Sequence, residues 1–385
     1  MHATRNFVAG VVLLSIGAVG CSDGGSRSAG STGAPHSTSV VEPPTSAAAR
    51  FPMATRPINT MATRPSNDTD RMAVSVLPAP GGPFSIGVVG LPMPDAIAFF
   101  PAKANTGGDQ HPYVDAKVLA GSGLPVDRFA TLTTSARVGA VPLSGDAPRP
   151  VVVLAPGFGS IIALSTSLAE HLASRGYVVV ALQTDVAAET AAMMPNTVLA
   201  TKRTEQVTAS LDLIGSASFE ALVGPVDQSR IAVGGHSFAG SIAFNISLHD
   251  RRVAAVFDLD GRLFADAATT PTKVPSLVVT SSGSGETEDA TLRDIVRSGT
   301  HTVAVGLLDA QHFDLTDAAV IDDILRSAGL PVLLGSIGPV ATTNTSAIVQ
   351  RFLDAALTDA RRVTTASVLV DGLPSTTADP FASAP

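Results

Sequence analysis

The chain has 385 residues, 45% of them apolar and 15% charged, and this composition excludes a wholly disordered protein because a large core can be buried. The net charge of -8, from 25 basic and 33 acidic residues, leaves no basic surplus for phosphates, so we expect no nucleic-acid partner. The single cysteine, Cys21, excludes an internal disulfide and a thiolate metal cluster. No apolar run beyond the N-terminus is long enough for a polytopic membrane protein.

The N-terminus has the features of an export signal. Arg5 supplies positive charge, and residues 7–19 form an apolar stretch too short to span a bilayer comfortably. Small residues directly precede Cys21 and resemble a bacterial lipobox, in which the cysteine is acylated and becomes the mature N-terminus. We therefore predict a lipoprotein signal over residues 1–20 and an exported protein, held by lipid on the outer face of the cell membrane. The alternative is a secretory signal with a bystander cysteine.

Low-complexity sequence flanks the apolar body of the chain. Residues 21–77 are rich in Ser, Thr, Gly, Pro and Ala, and the sequence MATRP occurs at 53–57 and again at 61–65. Such a segment has no periodic apolar face, so we predict a flexible tether. Residues 363–385 return to Thr, Ser, Ala and Pro, which predicts a disordered tail.

Between residues 78 and 362, buried apolar runs alternate with amphipathic segments. The predicted strands are 84–89, 96–100, 151–154, 177–182, 230–235, 253–259, 276–280 and 302–308, the first two of them antiparallel. The predicted helices are 164–174, 201–214, 238–248, 287–297, 315–328 and 345–357. This alternation predicts an α/β fold, with a mostly parallel central sheet covered by helices on both faces.

The strongest local signal is the sequence GGHSFAG at 234–240, between a predicted strand and a predicted helix. This context is typical of a nucleophile elbow, in which a serine occupies a sharp turn that needs small residues two positions before and after it. Gly235 and Ala239 meet that need around Ser237, whereas His236 is expected to point elsewhere. The alternative is an ordinary serine in a glycine-rich turn.

A serine needs a base, and in this kind of site the acid and then the histidine follow the serine along the chain. Three histidines follow Ser237 at or beyond the end of the helix predicted at 238–248. They are His249, His301 and His312. His249 ends the helix away from the elbow, and His301 precedes its strand. His312 follows its strand, at the carboxyl edge where sites form in open α/β sheets, so we predict His312 as the base.

The acid that orients this histidine should follow a strand between the two. Asp258 and Asp260 end the strand predicted at 253–259, and we favour Asp260 because it lies nearer the strand end. Asp258 remains the main alternative. Glu286 and Asp289 are further options, in a polar segment that we expect to be solvated.

Backbone N–H groups must also stabilise the oxyanion of the tetrahedral intermediate. One donor is the residue after the nucleophile, here Phe238. The other normally lies in the loop after the third strand of the fold, which here is Pro156–Gly159, and Phe158 is the predicted donor. The segment 186–200, with Met193 and Met194, is a candidate acyl pocket at a strand end.

Together these segments resemble the platelet-activating factor acetylhydrolases of the plasma and type II intracellular kind, within the α/β-hydrolase superfamily. The similar segments are 82–87, 172–179, 231–238, 259–261, 312–316 and 335–357. The spacing is similar as well, since Asp260 follows Ser237 by 23 residues and His312 follows it by 75. The resemblance implies a Ser-His-Asp carboxylic ester hydrolase without metal or other cofactor, acting on short-acyl esters such as sn-2 phospholipid esters.

Two alternative functions stay open. Pro156, Gly157 and Phe158 resemble the oxyanion loop of bacterial cutinases and polyester hydrolases, although that group usually carries its acid one strand later and often has disulfides. A lipase-like esterase belongs to the same class of alternatives. An inactive hydrolase-fold binding lipoprotein is the alternative outside enzymes. No charge stripe or heptad pattern indicates a protein partner, so we expect only a small ester or phospholipid substrate.

Overall fold

A computed structural model describes residues 76–115, 126–144, 147–186, 189, 192, 195–283, 290–329, 332–358 and 364–381. Several predictions lie outside these residues: the signal at 1–20, Cys21, the tether up to residue 75, Met193, Met194, Glu286 and Asp289. Among the helices in the described ranges, none combines the length and the apolar character needed to cross a bilayer.

An eleven-stranded sheet runs through the protein, in the order β11-β10-β9-β8-β7-β5-β6-β2-β1-β4-β3. The strands are β1 (Ser85–Gly90), β2 (Ala96–Ala102), β3 (Gln110–Pro112), β4 (Thr133–Val138), β5 (Arg149–Ala155), β6 (Val178–Leu182), β7 (Val226–His236), β8 (Val253–Leu259), β9 (Ser276–Ser281), β10 (Thr302–Leu307) and β11 (Thr376–Thr377). From β6 to β10 every pairing is parallel, whereas β1 and β2 pair antiparallel as predicted. The prediction of a mostly parallel α/β sheet is confirmed.

Nine α-helices that lie wholly within the described residues connect or cover the strands. They are α1 (Val126–Phe129), α2 (Thr166–Ser174), α3 (Thr197–Ile214), α4 (Ala217–Val223), α5 (Phe238–His249), α6 (Ala290–Ser298), α7 (Asp322–Ser327), α8 (Val340–Ala356) and α9 (Ala366–Val370). Short 3-10 turns lie at Ile162–Ser165, Ala265–Ala268, His312–Leu315 and Asp317–Ala319.

Helices cover both faces of the sheet because successive side chains of each central strand point to opposite faces. In β5, Val151 and Val153 pack in one apolar cluster with α3, α4, α5 and α6. Val152 and Leu154 pack in a second cluster with α2 and α8. All four of these side chains are fully buried, which explains why the strand appears in the sequence as an unbroken apolar run.

Two predicted segments differ from the structure. The helix predicted at 315–328 is two 3-10 turns followed by α7, because Thr316 caps a new turn with its side chain. The tail predicted to be disordered carries α9 and β11 within residues 364–381. Leu369 of α9 is fully buried, and β11 pairs antiparallel with β10, so tertiary contacts order a segment whose composition is typical of a tail.

Two buried carboxyl groups lie at α2: Glu170 is part of this helix, and Asp317 contacts its first turn. Glu170 accepts hydrogen bonds from the backbone N–H groups of Ser135 and Ala136, both at 2.7 Å. Asp317 accepts from the Ser167 N–H at 3.0 Å. Burial raises the pKa of Glu170 to about 7 and that of Asp317 to about 7. Both groups therefore take up protons more readily in the folded chain than in the unfolded chain.

We predict that this pair makes stability fall as the pH rises from about 4 to about 7, because the folded chain binds more protons than the unfolded chain in that window. The double variant Glu170→Gln, Asp317→Asn cannot ionise at either position. Between pH 5 and pH 8 the Tm of the unmodified chain should fall by about 5 °C more than the Tm of this variant. Thermal unfolding at both pH values measures this, and equal changes in the two proteins would contradict it.

Candidate active site

Ser237 occupies a sharp turn between β7 and α5. Its backbone has a φ of 57° and a ψ of -123°, and its N–H donates to the carbonyl oxygen of Leu259 at 2.8 Å. A methyl group at Gly235 would lie 2.3 Å from the carbonyl oxygen of Ala155 and 2.8 Å from the Cβ of Ala239. Such contacts leave room only for glycine there. The turn therefore has the close packing and the strained serine that define a nucleophile elbow.

Asp260 and His312, predicted from separate segments, are brought together at the carboxyl edge of the sheet. His312 begins the 3-10 turn after β10, and its Nδ1 lies 2.7 Å from Oδ2 of Asp260. The Asp260 side chain is fully buried, whereas the His312 side chain is 21% exposed. With Nδ1 bound to a carboxylate, the Nε2 of His312 is left to act on a proton.

The carboxylate of Asp260 is held by the end of the neighbouring strand. Ser281, the last residue of β9, donates its backbone N–H to Oδ1 at 2.6 Å and its hydroxyl to Oδ2 at 3.0 Å. These two hydrogen bonds fix the orientation of the carboxylate. Ser281 was not predicted as part of the site, although its position directly after the strand predicted at 276–280 was a usable signal.

Asp258, the alternative acid, has different partners. Its Oδ1 accepts the backbone N–H of Gly261 at 2.9 Å, and it lies against the start of α5, where a methyl group at Gly240 would come within 1.8 Å of the same oxygen. Asp258 is fully buried beneath the turn that carries Asp260. Its contacts therefore shape the end of β8, and the contact with the histidine belongs to Asp260.

His236 was expected to point away from this site, and it lies against His312 instead. It is buried, and its ring centroid lies 4.4 Å from that of His312. Burial lowers the pKa of His236 well below its usual value, and the nearby His312 lowers it further. The neutral ring can thus donate its Nε2–H to the backbone carbonyl oxygen of His312, 2.9 Å away. This contact joins the elbow directly to the histidine turn.

The loop Pro156–Gly159 packs on the elbow. A methyl group at Gly157 would lie 3.4 Å from the Cβ of Ser237. In the part of the chain that the structure describes, the backbone N–H groups of Phe158 and Phe238 have no hydrogen-bond acceptor. Two unoccupied N–H donors beside a strained serine are what an oxyanion needs.

Three aromatic rings lie side by side next to this loop. The ring of Phe158 meets that of Phe238 edge-on with centroids 6.4 Å apart, and Phe238 stacks on Phe264 at 5.6 Å. Phe158 and Phe264 are only half-buried. These three rings form an aromatic wall. Phe264 was not predicted as part of the site, because it lies outside every predicted element. The wall gives the site an apolar, aromatic side.

The sheet order, the sharp turn at Ser237 and the helices on both faces are those of the α/β-hydrolase fold. Solved structures of 571 chains match this one. A shared fold does not by itself decide the substrate. Among them is the ferulic acid esterase from Streptomyces cinnamoneus, with a TM-score of 0.64 and 24% identity, covering 79% of this chain and 99% of that one. This likeness shows the fold.

Residues 140–285 match the model of a family described as PET hydrolase-like. The matched stretch includes the loop at 156–159, Ser237 and Asp260, and it ends before His312. A comparison with curated proteins gave no match. Neither of the two similarities reported is to a platelet-activating factor acetylhydrolase, so membership of that family remains a prediction.

Proposed function

We propose that this protein is a serine carboxylic ester hydrolase. The observation that carries the proposal is the 2.7 Å contact between Asp260 and His312 at the sheet edge that also holds the Ser237 elbow. The match to PET hydrolase-like proteins and the fold shared with a ferulic acid esterase support the same class of reaction. Among the described residues, no three His, Cys, Asp or Glu side chains are grouped as metal ligands.

In the proposed mechanism Ser237 attacks the ester carbonyl, and His312 takes the serine proton through Nε2. Asp260 fixes the histidine tautomer and stabilises the charged ring that forms. The N–H groups of Phe158 and Phe238 bind the oxyanion. His312 then gives its proton to the leaving alcohol, and the same steps with water release the acid and restore Ser237.

Two substrate classes fit this site. An acid placed directly after β8, 23 residues beyond the serine, supports an acetylhydrolase-like enzyme that cleaves short-acyl esters, including sn-2 phospholipid esters. The aromatic wall of Phe158, Phe238 and Phe264, together with the PET hydrolase-like match, supports an esterase or polyester hydrolase that takes aromatic acyl groups. Steady-state rates on 2-acetyl phospholipid and on bis(2-hydroxyethyl) terephthalate separate the two.

The N-terminal sequence supports a proposal for the location of the protein. An apolar stretch that ends at Cys21 supports export with acylation of that cysteine, and the following low-complexity segment would hold the hydrolase away from the membrane. We propose an exported lipoprotein that meets its ester substrate on the outer face of the membrane.

Ser237→Ala should lower kcat by roughly 10⁶-fold on p-nitrophenyl esters from acetate to dodecanoate, since the chemistry then lacks its nucleophile. Ser218→Ala, at an exposed serine on α4, is the matched control and should leave the rate unchanged. Near-normal turnover in Ser237→Ala would remove the proposed function. The same series reports acyl preference, because a short-acyl enzyme loses rate steeply as the chain lengthens.

Asp260→Asn should lower kcat by about 10⁴-fold, since an amide no longer holds the required histidine tautomer. Asp258→Asn keeps an oxygen that can accept the Gly261 N–H and should retain kcat in the folded protein. Both values come from initial rates normalised to folded enzyme. If Asp258→Asn is the damaging change and Asp260→Asn is mild, the acid has been assigned to the wrong aspartate.

Cys21→Ala should move the protein from the membrane fraction to the soluble fraction, because acyl chains supply the anchoring energy. Detergent phase partitioning of cells expressing each form measures this. Unchanged partitioning of Cys21→Ala would refute the lipid anchor, and the ester hydrolase assignment would be unaffected.

A further inference from the structure

A buried ion pair lies against the loop that carries the Phe158 N–H. Arg203 of α3 and Glu189 are joined by a distance of 2.6 Å between Nη2 and Oε1. Both side chains are buried, with 2% of Arg203 and 5% of Glu189 exposed. Neither residue was singled out from the sequence, and neither belongs to the proposed Ser-His-Asp group.

Each member of the pair also binds the loop backbone. Nη1 of Arg203 donates to the carbonyl oxygen of Pro156, and Oε2 of Glu189 accepts the N–H of Gly159 at 2.7 Å. These two contacts fix the peptide groups on either side of the one that carries the Phe158 N–H. The carbonyl of that middle peptide group, from Gly157, accepts the N–H of Ser160 at 3.2 Å. Three successive peptide groups are thus held.

The loop turns at Gly159, with a backbone conformation that glycine adopts readily. Gly159 has a φ of 62°, in the left-handed region. A buried ion pair is also weak evidence for a stability role, since well-packed apolar residues in its place are often equally or more stable. The forked guanidinium can bind a carboxylate and a carbonyl oxygen at once, which a lysine cannot do with the same fixed geometry. Positioning of the loop accounts for these contacts better than stability does.

We propose that Arg203 and Glu189 are positioning residues that aim the Phe158 N–H at the oxyanion. The inference rests on the proposed ester hydrolysis. The pair acts on the transition state through the loop, with little effect on substrate binding. Loss of the pair should therefore lower kcat and leave KM nearly unchanged, as loss of a donor used only in the transition state does.

The test compares p-nitrophenyl butyrate with its thionoester, in which sulfur replaces the carbonyl oxygen. Sulfur accepts hydrogen bonds weakly, so an enzyme with well-placed oxyanion donors strongly prefers the oxygen ester. The ratio of the two kcat/KM values reports donor placement and does not depend on how much of the enzyme is folded. Each protein is the full chain, and thermal unfolding is recorded for each.

The main variant is Arg203→Met, Glu189→Leu, which replaces both charges together and so leaves no unpaired charge in the core. We expect a folded protein, a kcat on the oxygen ester about 10²-fold lower, a KM within about threefold, and a preference for the oxygen ester at least about tenfold smaller. Arg203→Lys keeps the charge without the fork and should show an intermediate loss.

The matched control is Arg252→Met. Arg252 pairs with Asp250 and Asp212 at the start of β8, at the opposite end of the sheet from Ser237. This variant should leave the oxygen-to-sulfur preference unchanged. A folded double variant with unaltered kcat and preference overturns the positioning role while the proposed function stands. No Ser237-dependent turnover in the unmodified enzyme overturns the proposed function and, with it, this inference.

Discussion

The backbone of Ser237 adopts a φ of 57°, a conformation that costs a residue with a side chain of order 1–3 kcal/mol and persists only where its surroundings fix it. Here the fixing contacts come from three directions. Gly235 packs against β5, and the Ser237 N–H donates to the end of β8. Gly157, in the loop after β5, packs on the serine itself. Anything that loosens one of these contacts also loosens Ser237, the proposed nucleophile.

The strand order then brings the other groups to the same place. Parallel strands β7, β8, β9 and β10 lie side by side, about 4.8 Å apart, and all end at one edge. Their carboxyl ends carry in turn Ser237, Asp260, Ser281 and the turn of His312. The Asp260 side chain extends past the end of β9 to contact His312. Ser281, at that end of β9, donates two hydrogen bonds to the same carboxylate.

Much of this arrangement could be predicted from the sequence because it depends on chain order and strand ends. The unbroken apolar run at 151–154 and the small residues around Ser237 are local signals. The strand and the sharp turn that they predict both form at those positions. Position 312 followed from elimination among eight histidines and the rule that sites form at carboxyl edges.

The remaining features depend on contacts between distant segments, which a single sequence does not reveal. Nothing near position 203 distinguishes that arginine from a surface charge on an amphipathic helix, and its proposed role depends on a carboxylate 14 residues earlier. The contact of His236 could not be predicted for the same reason, since its partner, His312, is 76 residues away. The segments β3 and β4 are short and mostly exposed, so they lack the apolar run that marks a buried strand.

The C-terminal segment affects how readily the protein aggregates. An open sheet presents unpaired N–H and C=O groups at each edge, and a long apolar edge strand invites pairing with a second molecule. On one side of this sheet the edge is β3, three residues that end in Pro112, which has no N–H to offer. On the other side β11 covers the carboxyl end of β10, whose side chains are almost all buried. The residues of β11, in a segment whose composition is typical of a disordered tail, thus cover a sheet edge and disfavour edge-to-edge aggregation.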